Sequence, residues 1–151
     1  KIEAKACGHY INSILASQEA KAAGYDEALL CDMNGFVAEA PGANVFFEKD
    51  GKLFTPPAGN ILPGITRATV LELCKELNIT CEEKLFTTSE MKNADAAFFC
   101  GTAAEIVGFE SLDDVKFPMS WEDSVSRLIR DAYKDRVVEK TIAKPASTIQ
   151  A

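Results

Sequence analysis

Short apolar blocks separated by turn residues fill the middle of the chain, a pattern typical of strands joined by tight turns. The segments that fit a strand are 27–33, 36–39, 44–48, 52–55 and 79–86. Asn34-Gly35 is predicted to form a type I′ hairpin turn in which both residues have positive φ. Asp50-Gly51 is predicted to form a second hairpin turn. AAFFCGTAAEIVGF then predicts a buried strand, a turn at Gly101-Thr102 and another strand.

Apolar residues recur at helical spacing in other parts of the chain. They predict four helices. The first covers residues 10–23, and the second begins at Pro63 or Gly64. The third is a short helix within 88–95, and the fourth is a long amphipathic helix from Ser120. The first helix has Ile11, Ile14 and Leu15 on one face and is expected to stop at Gly24. The tail, 141–151, has no periodicity, and we expect it to be disordered.

The length, composition and net charge of the chain narrow the class of protein. A chain of 151 residues with 47% hydrophobic residues is expected to form one domain with a sizeable core. The net charge of −7, with acids and bases interspersed, predicts no nucleic-acid partner and no anionic membrane partner. The odd number of cysteines, without CxxC spacing, indicates reduced thiols in a cytoplasmic protein. Cys31, Cys74 and Cys100 lie in apolar patterns and are expected in the core.

Two features suggest chemistry. Gly64 at a helix start, with free backbone N–H groups and the Thr66 hydroxyl, is an ordinary way to hold a phosphate. Glu39 lies just past a strand, beside the Pro41-Gly42 break. Taken alone, an acid at a strand end is more often a solvated charge. A lysine near a terminus, such as Lys5, is likewise more often on the surface.

The spaced motifs EAPGANVF, LFT and LPGITR resemble the signature of the class IV aminotransferases. This pyridoxal-phosphate family includes branched-chain amino-acid aminotransferase, D-amino-acid aminotransferase and aminodeoxychorismate lyase. EAKACGHY, followed by a helix and GYDEALL, is similar to the family's Schiff-base lysine segment, and GTAAEI resembles the branched-chain form. Pro41 departs from the pattern, which usually has a small residue there.

The resemblance implies an α+β fold, the large domain of the fold-type IV pyridoxal-phosphate enzymes, with mixed strands in a pseudo-barrel flanked by helices. It covers roughly residues 1–140 and corresponds to the carboxy-terminal, larger domain only. The chain has no initiator methionine, and Lys1-Ile2-Glu3 has the pattern of a strand entered midway. We therefore expect a piece of a longer protein from which the smaller amino-terminal domain is absent.

The resemblance also implies a role for each candidate site residue. Lys5 forms the Schiff base with pyridoxal 5′-phosphate and carries the proton, Tyr10 faces the phenolic oxygen, and Glu39 faces the pyridine nitrogen. Leu62 lies against the ring. The phosphate-binding residues are Gly64, Ile65, Thr66 and Thr102. Ala103 and Ala104 hold the substrate carboxylate through their N–H groups. Asn44 and Gly42 are expected to shape the turn beside Glu39, and Arg67 is assigned no chemistry; no metal is expected.

The leading interpretation is therefore transamination between a branched-chain amino acid and 2-oxoglutarate, by an enzyme that forms a homodimer at full length. Its partners are amino acids and 2-oxo acids. D-amino-acid aminotransferase is an alternative, because the Lys-Tyr-Glu set fits both. Aminodeoxychorismate lyase is a third. A folded but inactive fragment is a further alternative, since residues of the missing domain complete the active site in the family.

Overall fold

A computed structural model describes residues 10–142 of the chain, with side chains up to Val138. The helices are α1 (Tyr10–Ala22), α2 (Ile65–Glu76), α3 (Thr88–Met91) and α4 (Val125–Ile142). The strands are β1 (Asn44–Lys49), β2 (Lys52–Thr55), β3 (Cys81–Glu83), β4 (Ala96–Gly101), β5 (Glu105–Phe109), β6 (Ser111–Leu112) and β7 (Val115–Lys116). A 3₁₀ turn, Trp121–Asp123, precedes α4.

Within residues 10–142, the strands form one mixed sheet of five and a separate two-stranded ribbon of β6 and β7. The order in the sheet is β3-β2-β1-β4-β5. β1 pairs antiparallel with β2 and with β4, and β4 pairs antiparallel with β5. β3 runs parallel to β2 at one edge. The α+β prediction, with mixed strands flanked by helices, is confirmed.

Side chains on both faces of the sheet are buried. Alternate residues of a strand point to opposite faces, so Phe46 and Phe98 enter one cluster, whereas Val45 and Ala97 enter the other. Helices α2 and α4 cover the first cluster through Val70, Leu73, Cys74 and Ile129. Because both faces are covered, β1 and β4 show as nearly continuous apolar runs in the sequence.

The loop around Asn34-Gly35 reverses the chain with a turn other than the one expected. Gly35 has a φ of +84°, but Asn34 has no positive φ, so the type I′ prediction is wrong. Instead the Asp32 carboxylate accepts hydrogen bonds from the N–H groups of Asn34 and Phe36, at 2.9 and 3.0 Å. This Asx-type arrangement needs only one left-handed residue.

The predictions of a strand on either side of that loop are wrong. The segments 27–33 and 36–39 contain isolated bridges at Cys31, Phe36 and Val37 rather than ladders. The strand predicted over 79–86 is confined to β3. Strand propensity without a continuous partner does not give a ladder, since each residue of a strand depends on the residue opposite.

The helix boundaries need smaller corrections. Ser124 has extended backbone (φ −83°, ψ 147°), so the single helix expected from Ser120 is a 3₁₀ turn followed by α4. Leu128 of α4 is 55% exposed, whereas its neighbour Ile129 is fully buried. Because α4 extends to Ile142, residues 141 and 142 of the expected tail are helical. Residues 143–151 lie outside the described chain.

Helix α1 ends as predicted, at Gly24, whose φ is +91°. The N–H groups of Gly24 and Tyr25 donate to the carbonyls of Lys21 and Ala20, which is the Schellman arrangement. The apolar face of α1 is uncovered: Ile11, Ile14 and Leu15 are 65%, 55% and 60% exposed. The helix therefore buries no side chain among the described residues.

Four cysteines of the described part are free thiols. Cys74 and Cys100 are buried, as predicted, but Cys31 is exposed, so its assignment to the core is wrong. None of the described helices is both long and apolar enough to cross a membrane.

Candidate active site

Glu39 lies at a bulge. The N–H of Leu30 donates to the Glu39 carbonyl and the N–H of Ala38 donates to the Leu30 carbonyl, both at 2.8 Å. Two residues of one segment therefore face one residue of the other, the defining feature of a β-bulge. A bulge redirects the side chains at its position, and here it coincides with the predicted ring-binding carboxylate.

The Glu39 carboxylate is half-buried and held by two donors. Its Oε2 accepts from the N–H of Leu62 at 3.0 Å and from Nδ2 of Asn44 at 3.2 Å. Burial raises the pKa of Glu39 above its ordinary value, and the hydrogen bond from Leu62 acts in the opposite direction. The structure therefore joins Glu39 and Leu62, two of the residues that the sequence predicted for one site.

Pro41, which departs from the family pattern, fits the turn that follows Glu39. The N–H of Ala40 donates to the Ala43 carbonyl at 2.8 Å, and the N–H of Ala43 donates back at 3.4 Å. Pro41 thus occupies the second position of a four-residue turn, where its fixed φ is favourable and its missing N–H is not needed.

The helix start predicted to hold a phosphate is present and lacks a side-chain cap. Gly64 is the N-cap of α2, with extended backbone, and no side chain accepts from the first turn. The N–H groups at the start of a helix have no partner within the helix. A Cβ on Gly64 would lie 2.3 Å from Oδ1 of Asn44, so the close approach of loop and strand requires glycine.

The phosphate-binding candidates differ in exposure. Thr66 is only 4% exposed, whereas Ile65 is 82% exposed. Arg67, in the same turn, is 6% exposed, and its Nη2 donates to the Pro56 carbonyl at 2.8 Å and to Glu83. The guanidinium of Arg67 is therefore held by groups of the fold through Nη2, whereas its buried Nε has no hydrogen-bond partner among the described residues.

Thr102, Ala103 and Ala104 form the exposed turn between β4 and β5. A Cβ on the preceding residue, Gly101, would lie 3.0 Å from the Gly42 carbonyl oxygen. The β4–β5 turn and the Pro41-Gly42 turn are therefore neighbours. Since Gly64 approaches Asn44, the β4–β5 turn and the start of α2 both border the segment that runs from Glu39 to the start of β1.

Two predicted residues are not joined to this group by a described contact. Tyr10 is the first residue of α1, and no hydrogen bond connects its side chain with Glu39 in the range 10–142. Lys5 lies outside the described residues. In the part of the chain that the structure covers, no cluster of His, Cys, Asp and Glu side chains could hold a metal ion.

Asn44 is the residue whose place in the site the sequence underestimated. It was expected only to shape a turn, yet its amide contacts both Glu39 and the Leu62 carbonyl. The signal available in the sequence was a polar residue directly before the apolar run VFF. A buried amide at such a place needs hydrogen-bond partners.

A cavity of about 650 Å³ lies elsewhere in the fold. Its lining includes Gly108, Phe117, Trp121, Arg130 and Lys134. None of the predicted site residues that fall within 10–142 lines it.

Residues 2–112 match the family model described as amino-transferase class IV. The chain is 44% identical over 140 residues to a branched-chain-amino-acid aminotransferase of Pseudomonas aeruginosa, which covers 93% of this chain and 46% of the relative. It is 41% identical over 135 residues to a probable branched-chain-amino-acid aminotransferase of Aquifex aeolicus, over 88% of this chain and 43% of the relative. The chain thus spans about half the length of the curated relatives it matches.

Solved structures of similar proteins agree with the fold. The branched-chain amino acid aminotransferase of Thermobaculum terrenum in its PLP form superposes with a TM-score of 0.89 at 41% identity, covering 91% of this chain and 46% of that one. A second branched-chain amino acid aminotransferase, complexed with N-(5′-phosphopyridoxyl)-L-glutamate, gives a TM-score of 0.86 at 36% identity, covering 91% of this chain and 47% of that one.

Proposed function

The chain belongs to the class IV amino-transferase family, and from that premise we propose that it is the cofactor-binding half of a branched-chain amino-acid aminotransferase. The reaction is the transfer of an amino group between a branched-chain amino acid and 2-oxoglutarate with pyridoxal 5′-phosphate. The observation that carries the proposal is the half-buried Glu39 carboxylate beside the uncapped start of α2.

The residues present fit pyridoxal phosphate. When bound, this cofactor acts as an electron sink for charge that develops at the substrate Cα. The uncapped first turn of α2 offers N–H groups to a phosphate, and the close approach of Asn44 to Gly64 holds that turn beside the Glu39 carboxylate. Glu39 offers a carboxylate to a protonated ring nitrogen, and Leu62, fixed to it by a hydrogen bond, offers an apolar side chain to the ring.

The proposal depends on the charge state of Glu39. Glu39 must remain ionised to hold a proton on the ring nitrogen, although burial favours its neutral form. The donors Asn44 and Leu62 oppose that effect, since both stabilise the charged carboxylate. The positive charge of the ring nitrogen would add to them once the cofactor is bound.

We assign the remaining roles as the resemblance implies. Lys5 would hold the cofactor through its side-chain amine and would move the proton at the substrate Cα, and Tyr10 would donate to the phenolic oxygen. Ile65, Thr66 and Thr102 join Gly64 at the phosphate. The N–H groups of Ala103 and Ala104, in an exposed turn, bind the substrate carboxylate.

Two observations support the substrate class. The relatives in Pseudomonas aeruginosa and Aquifex aeolicus are named for branched-chain amino acids. One similar structure contains a phosphopyridoxyl-glutamate complex, and glutamate is the amino acid that corresponds to 2-oxoglutarate. In the proposal the full-length enzyme is a cytoplasmic homodimer, and the half that this chain does not span completes the active site.

The test is a chemical map of the cofactor attachment. The full-length protein, loaded with pyridoxal phosphate and reduced with borohydride, should carry a pyridoxyl group on the peptide that contains Lys5. Lys5→Ala should remove the adduct and the turnover of leucine with 2-oxoglutarate. An adduct on Lys21 or Lys52 instead would contradict the assignment of Lys5.

A further inference from the structure

The side-chain amide of Asn44 donates both of its hydrogens to groups of the proposed site. Nδ2 donates to Oε2 of Glu39 at 3.2 Å and to the Leu62 carbonyl at 2.9 Å. A primary amide nitrogen carries two hydrogens, so its donor capacity is filled. The side chain is only 5% exposed, which removes water as a competing partner.

The three residues close a ring of hydrogen bonds. Leu62 donates its N–H to the same Glu39 oxygen that Asn44 contacts, and its carbonyl accepts from Asn44. Oε2 of Glu39 therefore has two donors, whereas Oε1 has no hydrogen-bond partner within residues 10–142. The carboxylate is held by one oxygen, and the other is left for a further donor.

Asn44 also fixes the helix start. Its Oδ1 occupies the space that a Cβ on Gly64 would need, at 2.3 Å. The residue itself begins β1 and pairs with Cys100 of β4, in the interior of the five-stranded sheet. One rigid side chain thus contacts the carboxylate, the loop and the N-cap of α2.

We propose that Asn44 is a positioning residue that orients Glu39 toward the cofactor ring nitrogen and ties it to the phosphate-binding helix start. This inference rests on the proposed function for the identity of the ligand. The coupling of Asn44 to Glu39 is a property of the protein alone, and can be measured without cofactor.

The first measurement uses cofactor-free full-length protein and the ¹³C carboxyl resonance of Glu39, identified by its loss in Glu39→Gln. Asn44→Ala should raise the pKa of Glu39 by about one unit, because a donor to the charged form is lost. Asn44→Asp keeps the oxygen that packs on Gly64 and should raise it further, because it adds a negative charge. Asn93→Ala is the control, since the Asn93 side chain donates to the Ser89 carbonyl at an exposed site; it should change nothing.

The second measurement uses the holoenzyme with pyridoxal phosphate labelled with ¹⁵N in the ring. Asn44→Ala should lower the pKa of the ring nitrogen and reduce kcat about tenfold. In a Glu39→Gln background the same substitution should shift the ring nitrogen no further, because Asn44 acts through Glu39.

An unchanged Glu39 titration in both Asn44 variants, or an equal ring-nitrogen shift with and without Glu39, would overturn the inference. Failure of the wild-type protein to bind the cofactor would instead contradict the proposed function. In that case the cofactor-free titration still decides whether Asn44 controls Glu39.

Discussion

The Glu48 carboxylate accepts hydrogen bonds from both the backbone N–H and the hydroxyl of Ser126, at 3.0 and 2.8 Å. Its other oxygen accepts from the N–H of Val125 at 3.2 Å. Glu48 is 1% exposed on β1, so a buried strand supplies the anion that caps the first turn of α4. The negative charge also faces the positive end of the helix dipole.

Glu48→Gln should lower the free energy of unfolding by about 2 kcal/mol. Both carboxylate oxygens are used, whereas an amide offers one oxygen and places an NH₂ group against an N–H donor. Urea unfolding of the 151-residue chain measures the loss. Glu82→Gln, at an exposed position of β3, is the matched control and should have little effect; equal losses would show that the cap contributes nothing specific.

Spacing and residue type predicted most of the regular fold, whereas most of the candidate site residues were predicted from the family resemblance. α1, α2 and the strands β1, β2, β4 and β5 were found because their apolar periods are local properties of the chain. Among the site residues, Glu39, Leu62 and Gly64 are joined by the described contacts. The roles of all the predicted site residues, Lys5 and Tyr10 among them, stay predictions.

The polar contacts inside the fold could not be predicted from the spacing of residues along the chain. Glu48 reaches Ser126 across 78 positions of sequence, and Asn44 reaches Leu62 across 18. Neither pairing follows from a period, because a polar residue in an apolar run indicates only that some partner exists. The failed strand at 27–33 has the same cause, since a ladder depends on what lies opposite.

Gly108→Ala should destabilise the chain by about 1–3 kcal/mol. A Cβ on Gly108 would lie 2.4 Å from Cε3 of Trp121, whose ring also packs edge-on against Phe98. A shift of the indole to make room would disturb its edge-on packing against Phe98. Thermal unfolding checks this, with Gly42→Ala as control because no atom lies within 4 Å of its added Cβ. A melting temperature as high as that of the control would contradict the close packing.

Glu39→Gln should make the cofactor-free chain more stable at neutral pH. The pKa of Glu39 is raised above 4.5 by burial, so the folded state binds the proton more tightly than the unfolded state. Stability is therefore lost as the pH rises from that ordinary value through the raised one, and glutamine avoids the loss. Urea midpoints at about pH 4 and about pH 8 should show the advantage of Glu39→Gln only at the higher pH.

Glu90→Gln is a control whose stability should respond to pH in the opposite direction. The pKa of Glu90 is lowered, first by the hydrogen bond from the Thr87 N–H, in the capping box of α3. Stability from Glu90 is present above the ordinary carboxyl pKa and is lost as the pH falls through the lowered value. Glu90→Gln should therefore be less stable than wild type near pH 8, with a difference that shrinks on acidification. The same pH response in both variants would mean that neither reflects its own site.

The 151-residue chain by itself should fold but bind pyridoxal phosphate weakly. The donors at the start of α2 are neutral, and the nearest guanidinium, Arg67, is held by Glu83 and the Pro56 carbonyl. Neutral donors in a water-exposed half-site hold a dianion poorly, because solvent screens each of them.

Titration of the isolated chain with the cofactor, followed by visible absorption, measures this binding, and the full-length protein under the same conditions is the control. The full-length protein should bind far more tightly, because residues of the half that this chain does not span are expected to complete the active site. Addition of inorganic phosphate should weaken whatever binding the chain retains, since it competes for the same N–H groups.

Micromolar or tighter binding by the isolated chain, about −8 kcal/mol or better, would show that this half holds a complete site. Arg67 would then have to leave Glu83 on binding, and Glu83→Gln would strengthen the binding further.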